Sequence, residues 1–436
     1  ICEEGWNNPI GHPQNQERYY ALDPIDRLVH MHDHIDLIVN ISASPGYSGK
    51  LNHVLAMNSR IAKEYGIAMA WVNTVGFQDQ LGFWGGTHVF NRDGELAVLL
   101  PQDQETFVTF DLATLGQESQ QPGWQAARSS EHGLMEELYS ALGLYLNDYM
   151  RKSGLSKKVL LGLSGGIDST LVATIATKHL GKENVLGVRM PSMLNTSHEM
   201  DLAKVLADRL GIALRDEPID RWVTGFESGI GVAPESLAHE NMQARIRALI
   251  LWTIANQENR TVLNTTNWTE AAMGYGTIGG DLLGLPLIAS LPKTWVYRLA
   301  RYYLESGFES LTQAHLDIVP TAALKPGQTD EGSFGARYWV LDAVLEDLFM
   351  NYGDLGETIK KFLTDQDFMQ RYQPMNGIDD KATSLTAIIE KCGKALLQNT
   401  EFKRCYYNRT PQFTPFAWLR WQWPMANAYF SSDAKS

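Results

Sequence analysis

The segment that most constrains this chain lies between residues 158 and 180. A short apolar run, Val159-Leu160-Leu161, breaks at Gly162-Leu163-Ser164-Gly165-Gly166 and continues through Ile167-Asp168-Ser169-Thr170 into a helical pattern. A strand over 158–163 that turns through glycines into a helix over 169–180 commits the chain to a layered α/β fold, because the helix has to pack back on the sheet that holds the strand. The turn also carries chemistry. Successive backbone N–H groups and the positive end of the helix dipole face one small volume, which suits an anion. Gly165 and Gly166 let the backbone turn tightly and approach anionic oxygens without a Cβ, while Ser164, Ser169 and Thr170 can add hydroxyl donors. Asp168 would repel bare phosphate. Its presence therefore calls for a bridging Mg²⁺, a hard cation held by one or two carboxylates together with phosphates. A turn that merely joins strand to helix is the plain alternative, and it would suffice for a lone Gly-x-Gly.

More strands and helices alternate around this unit. Strands are expected over 36–40, 67–75, 185–190 and 261–264, and helices over 51–65, 198–210 and 240–257, with an amphipathic helix running from about 134 to 152. Such alternation implies right-handed crossovers and a parallel doubly wound sheet, with ligands at the carboxyl ends of its strands. The 436 residues exceed one ordinary core, so two domains are expected. The polar, aperiodic stretch 116–133 is taken as the linker, with domains over 1–115 and 134–436. The formal net charge of −13 repels phosphate backbones and anionic lipid, so nucleic acid and membrane are not expected as partners. No apolar stretch approaches the roughly 20 residues that cross a bilayer, and a cytoplasmic location is expected. Cys2, Cys392 and Cys405 are too few and scattered for a disulfide framework. A chain that opens on Ile1 rather than Met is expected to have lost an upstream segment.

The full Ser-Gly-Gly-x-Asp-Ser string resembles the signature of ATP pyrophosphatases, which split ATP between its α and β phosphates. It lacks the Gly-Lys-Ser/Thr ending of a Walker loop. Further along, Glu240-Asn241-Met242-Gln243-Ala244-Arg245-Ile246-Arg247, then Asn264-Thr265-Thr266-Asn267-Trp268-Thr269-Glu270, Gly280-Asp281, Pro292-Lys293-Thr294 and Lys325-Pro326-Gly327-Gln328-Thr329-Asp330-Glu331 follow in order. With Glu401-Phe402-Lys403-Arg404 they are similar to the ordered motifs of NAD synthetases. The resemblance implies amidation of deamido-NAD to NAD with ATP and Mg²⁺, through a carboxylate joined to AMP. It implies that Asn241 and Glu270 meet the dinucleotide or its metal, that Arg245 and Thr265 meet ATP, that Asp330 and Lys403 close the acyl site, and that Asp168 and Glu270 hold Mg²⁺. For Arg247 a solvated helix face is the simpler reading. A homo-oligomer is also implied.

Cys2-Glu3-Glu4-Gly5-Trp6 resembles the nucleophile motif of the nitrilase-fold glutaminases that precede the synthetase in glutamine-dependent NAD synthetases. The first domain would then be the carboxyl-terminal half of such a sandwich. Cys2 would attack the amide of glutamine and release ammonia, with Ser44 and Lys50 near the bound glutamine. The chain departs from the family pattern at Gln80, Trp84, Thr266, Trp268, Ala289, Ser290, Ala323 and Thr329. Several of the synthetase departures are expected to face the substrate, which motivates a second reading: the same adenylating chemistry on another carboxylate. A catalytically silent nucleotide-binding subunit is a third. The alternating His30, His32 and His34 fit a polar strand entry better than a zinc site, because they precede the strand. The Phe413 to Trp423 aromatics, interspersed with prolines, fit packing better than base stacking.

Overall fold

The computed structural model describes residues 21–78, 81–115, 130–195, 197–282, 284–308, 310–350, 353–375 and 377–396. The chain divides at Tyr149/Met150 into two compact units, and the division falls inside the Glu131–Ser153 helix. The segment expected as a linker lies mostly outside the described residues.

In the first unit β1 (Leu37–Ser42) and β2 (Ala68–Asn73) run parallel, joined by the Lys50–Tyr65 helix. β5 (His88–Phe90) and β6 (Leu96–Leu99) extend the sheet antiparallel in the order β1-β2-β5-β6. The helix buries Leu51, Val54, Leu55, Ile61 and Ala62 against Ile38, Met69, Trp71 and Phe90 of the sheet. It stops at Gly66, whose φ of 63° is left-handed backbone that glycine adopts without strain. The apolar run expected as one strand over 67–75 is broken in two. Beyond Thr74, β3 (Val75–Gln78) pairs antiparallel with β4 (Leu81–Trp84) as a separate ribbon.

The second unit carries the expected doubly wound sheet. β7 (Val159–Gly162), β8 (Val185–Arg189), β9 (Ala213–Asp216), β10 (Thr261–Asn264) and β11 (Leu285–Pro286) are all parallel and lie in the order β11-β10-β7-β8-β9. The order reverses direction between β7 and β10, so connections leave these two neighbours toward opposite sides and open a crevice at their carboxyl ends. The Ile167–Leu180 and Leu237–Glu258 helices pack on the sheet. Leu251, Ile254 and Ala255 of the longer helix meet Leu160, Leu186, Val188 and Val262 of the strands in one buried cluster. That longer helix starts where Ser236 Oγ accepts a hydrogen bond from the backbone N–H of His239 and stops at Asn259, with φ 48°. A largely helical section follows β11. Its core joins Val340, Leu341, Val344 and Leu345 of the Tyr338–Met350 helix to Leu385, Ile388 and Ile389 of the Lys381–Lys394 helix.

Candidate active site

The crevice at the switch point is a cavity of about 430 Å³, lined among others by Ser164, Gly166, Asp168 and Ser169 after β7 and by Asn264, Thr265 and Thr266 after β10. Ser164 and Ser169 brace the loop between them. The backbone N–H of Ser164 donates to Ser169 Oγ at 3.3 Å, and the backbone N–H of Gly166 donates to Ser164 Oγ at 3.2 Å. Gly165 turns with φ 87°, and a Cβ there would stand 2.4 Å from the backbone oxygen of Glu199. Glycine is thus required at 165 by the close passage of the next helix.

On one wall of the cavity three acidic side chains converge on one buried lysine. Lys293, 1% exposed, ion-pairs with Asp168 and lies 3.5 Å from Glu270. Asn267 Nδ2 donates to Asp168 Oδ1 at 3.0 Å, and its side-chain oxygen accepts from the backbone N–H of Glu270 at 3.0 Å. One asparagine thereby caps the Trp268–Met273 helix and ties it to the glycine loop. Burial would lower the Lys293 pKa, but the charges of Asp168 and Glu270 override it and hold the ammonium well above its usual value. Glu270 is pushed up to about 8 by burial and by the charge of Asp168, against the pull of Lys293. Asp330 is raised by burial, while Tyr338 donates to its Oδ2 at 3.0 Å.

The expected residues divide accordingly. Ser164, Gly166, Asp168, Ser169, Asn241, Thr265, Glu270 and Asp330 all line the cavity. Thr170 does not: it is fully buried in the first turns of its helix, so its hydroxyl is no donor to this space. Nor does Arg245, whose Nε donates to the backbone oxygen of Ile278 at 3.1 Å on an exposed face. Arg247, two residues on, is in the cavity wall instead. Burial lowers its pKa to about 10 against the opposing charges of Asp281 and Asp220. Two positions apart on a helix means nearly opposite faces, and only the way this helix lies on the sheet selects Arg247. Lys293 belongs to the Pro292-Lys293-Thr294 motif but was assigned no role, because a lysine after a proline carries no sign in the sequence that it will be buried.

Among the departures from the family pattern, Thr266 and Ala323 line the cavity. Trp268, Ala289 and Ser290 do not, and are buried. Trp268 packs edge-on to Phe349 at 6.0 Å. Thr329 caps the Asp330–Phe334 helix, accepting from the backbone N–H of Gly332. In the first unit Lys50 Nζ donates to Ser44 Oγ at 2.8 Å and to the Pro45 backbone oxygen at 2.5 Å, so the two residues expected at a glutamine are in contact. The backbone N–H of Ser44 donates to Asn73 Oδ1 at 2.8 Å, which fixes that loop to β2. Cys2 and Lys403 lie outside the described residues.

A family model described as NAD synthase matches residues 138–376. The glutamine-dependent NAD(+) synthetase of a Synechocystis species is 35% identical over 437 residues, covering 98% of this chain and 72% of the relative. That of Aquifex aeolicus is 32% identical over 464 residues, covering 99% and 75%. A solved glutamine-dependent NAD+ synthetase from Acinetobacter baumannii, in complex with ADP, superposes with a TM-score of 0.64 at 26% identity, covering 95% of this chain and 69% of that one. With relatives this similar along nearly its whole length and a glycine loop, acid pair and lysine gathered at the switch point of its sheet, the chain belongs to the glutamine-dependent NAD synthetase family.

Proposed function

We propose that the chain amidates deamido-NAD to NAD at the expense of ATP, with AMP and pyrophosphate as the other products. The observation that carries this reading is the meeting of Asp168 and Glu270 on Lys293 beside the glycine loop. A carboxylate is a poor electrophile. Its oxygen attacks the α-phosphorus of ATP, the bond to the β-phosphate breaks, and pyrophosphate leaves. Ammonia then adds to the carbonyl carbon of the mixed anhydride and AMP departs.

The chain's own groups supply positioning and charge for both steps. The glycine loop after β7, braced by Ser164 and Ser169, is assigned to the phosphates, and Lys293 and Arg247 offset negative charge inside the cavity. Asp168 and Glu270 would hold Mg²⁺, and they fit it: two convergent hard oxygen donors beside a phosphate-binding loop are what this ion takes when it shares its shell with a substrate. Bound there, Mg²⁺ would supply charge neutralisation for the pyrophosphate leaving group. Thr265 is assigned to ATP, and Asn241, Asp330 and Lys403 to the dinucleotide; that Thr265, Asn241 and Asp330 line one cavity supports the reading. Ammonia is supplied free, or from glutamine at Cys2 with Ser44 and Lys50 at the glutamine. The assembly is read as a homo-oligomer acting in the cytoplasm. No helix among the described residues is long and apolar enough to cross a membrane.

Incubation with ATP, Mg²⁺, ammonium and deamido-NAD should yield AMP and NAD in equal amounts. Formation of neither overturns the proposal. A second reading, adenylation of a different carboxylate, is favoured by Thr266 and Ala323, two departures from the usual Gly and Glu of the resembled pattern that line the cavity. Pyrophosphate release screened across carboxylic acids separates the two.

A further inference from the structure

A buried network behind the cavity reaches the acid and lysine cluster without touching the cavity itself. Asp342, on the Tyr338–Met350 helix, is 2% exposed. One of its oxygens accepts the hydroxyl hydrogen of Thr269, and the other accepts the backbone N–H of Thr294 at 2.7 Å. Thr269 Oγ1 in turn accepts the backbone N–H of Lys293 at 2.8 Å. Three helices are joined by these three hydrogen bonds: the one that bears Glu270, the one that begins at Lys293, and the one that carries Asp342.

We infer that Asp342 is a positioning residue for the amidation reaction, acting through Thr269 to set where Lys293 and Glu270 stand relative to Asp168. A threonine hydroxyl has one hydrogen and two lone pairs. With an ionised carboxylate on one side, the hydrogen has a single destination, Asp342, and a lone pair is left facing the Lys293 N–H. Thr269 directly precedes Glu270, so the same bond that locates the Lys293 backbone locates the helical turn carrying Glu270. The Pro292-Lys293 segment donates nothing at residue 292, so the Lys293 N–H is the first handle by which this helix can be held. Asparagine cannot replace Asp342. It offers one acceptor where two donors must be received, and its amide would turn a donor toward Thr269 or Thr294.

This inference rests on the proposed reaction, and its test separates the two. AMP formation is measured with ATP, Mg²⁺, ammonium and deamido-NAD for the wild type, Asp342→Asn, Thr269→Val, Thr269→Ser and the Asp342→Asn/Thr269→Val double variant, with thermal unfolding of each. Misplacing reacting groups by about 1 Å costs on the order of 100-fold in rate, so Asp342→Asn and Thr269→Val should each lower kcat by roughly 10- to 100-fold with KM for ATP changed less than about 3-fold. Thr269→Ser keeps the hydroxyl and should restore wild-type kcat. The double variant should be no slower than the slower single one, because both act through one bond. Full kcat in folded Thr269→Val, or single effects that multiply in the double variant, overturns the inference. If Asp342→Asn does not fold, the Val and Ser variants at 269 decide alone. Should the wild type form no AMP, the proposed reaction fails, and a crystal structure of Thr269→Val reads the positioning claim: Lys293 Nζ displaced from Asp168 supports it, and an unmoved ion pair refutes it.

Discussion

Replacing Lys293 by Met keeps most of the side-chain volume and removes the only lysine charge that faces Asp168 and Glu270 among the described residues. At an effective dielectric of about 20, a charge pair within about 4 Å is worth roughly 4 kcal/mol, and Asp168 stands inside that distance of Lys293. Against these attractions stands the desolvation of the ammonium, which the methionine no longer has to bear, and the net cost of breaking a buried pair is about 3–5 kcal/mol. That corresponds to a melting temperature lower by roughly 10 °C. The loss must depend on pH. The native pKa of Glu270, about 8, lies above its value of 4.5 in an unfolded chain, so the native state retains a proton that the unfolded state releases in between. Its contribution is fully present below about pH 4.5 and is lost as pH rises through about 8. Without Lys293 the Glu270 pKa rises further, so the variant goes on losing stability above pH 8, where the wild type levels off. Differential scanning calorimetry of both proteins at pH 6 and pH 10 measures this. A destabilisation equal at the two pH values, or one below about 1 kcal/mol at pH 10, would refute the picture of a lysine stabilised by two converging carboxylates.

Three further outcomes are expected. Arg247→Met should weaken MgATP or deamido-NAD binding by about 10- to 100-fold, the worth of one charged hydrogen bond, whereas Arg245→Met should change either by less than about 2-fold in the same titration calorimetry. Gly165→Ala forces a Cβ against the Glu199 backbone at φ 87° and should destabilise the protein by about 1–3 kcal/mol in a denaturant melt, with a lowered kcat. Trp268→Ala empties a core site packed on Phe349 and should cost about 3–5 kcal/mol in the same melt. A loss under about 1 kcal/mol would return Trp268 to the cavity wall.

Much of the second unit's architecture was legible in the chain itself. The strand expected over 158–163 is β7 at Val159–Gly162, and the helix expected from 169 starts two residues earlier, at Ile167. These ends drift because capping geometry, not periodicity, sets a helix start. β9 and β11 were not anticipated: Ala213–Asp216 is partly exposed and Leu285–Pro286 is two residues long, so neither carries a period-two apolar signal. The split of 67–75 into β2 and β3 was equally hidden, since β-branched and aromatic residues continue across Thr74 and only the change of pairing partner marks the break.

The local order of residues determined the strand, the glycine turn and the helix that follows, because backbone freedom, hydroxyl donors and the helix dipole all act within a few residues of Asp168. It could not determine which distant groups join them. Lys293 is 125 positions from Asp168, and Arg245 and Arg247 stand two positions apart on one helix, so their roles depend on how the helices lie against the sheet. Only tertiary packing sets that, through the burial of Lys293, the hydrogen bonds of Thr269 and Asp342, and the reversal of strand order that opens the crevice between β7 and β10.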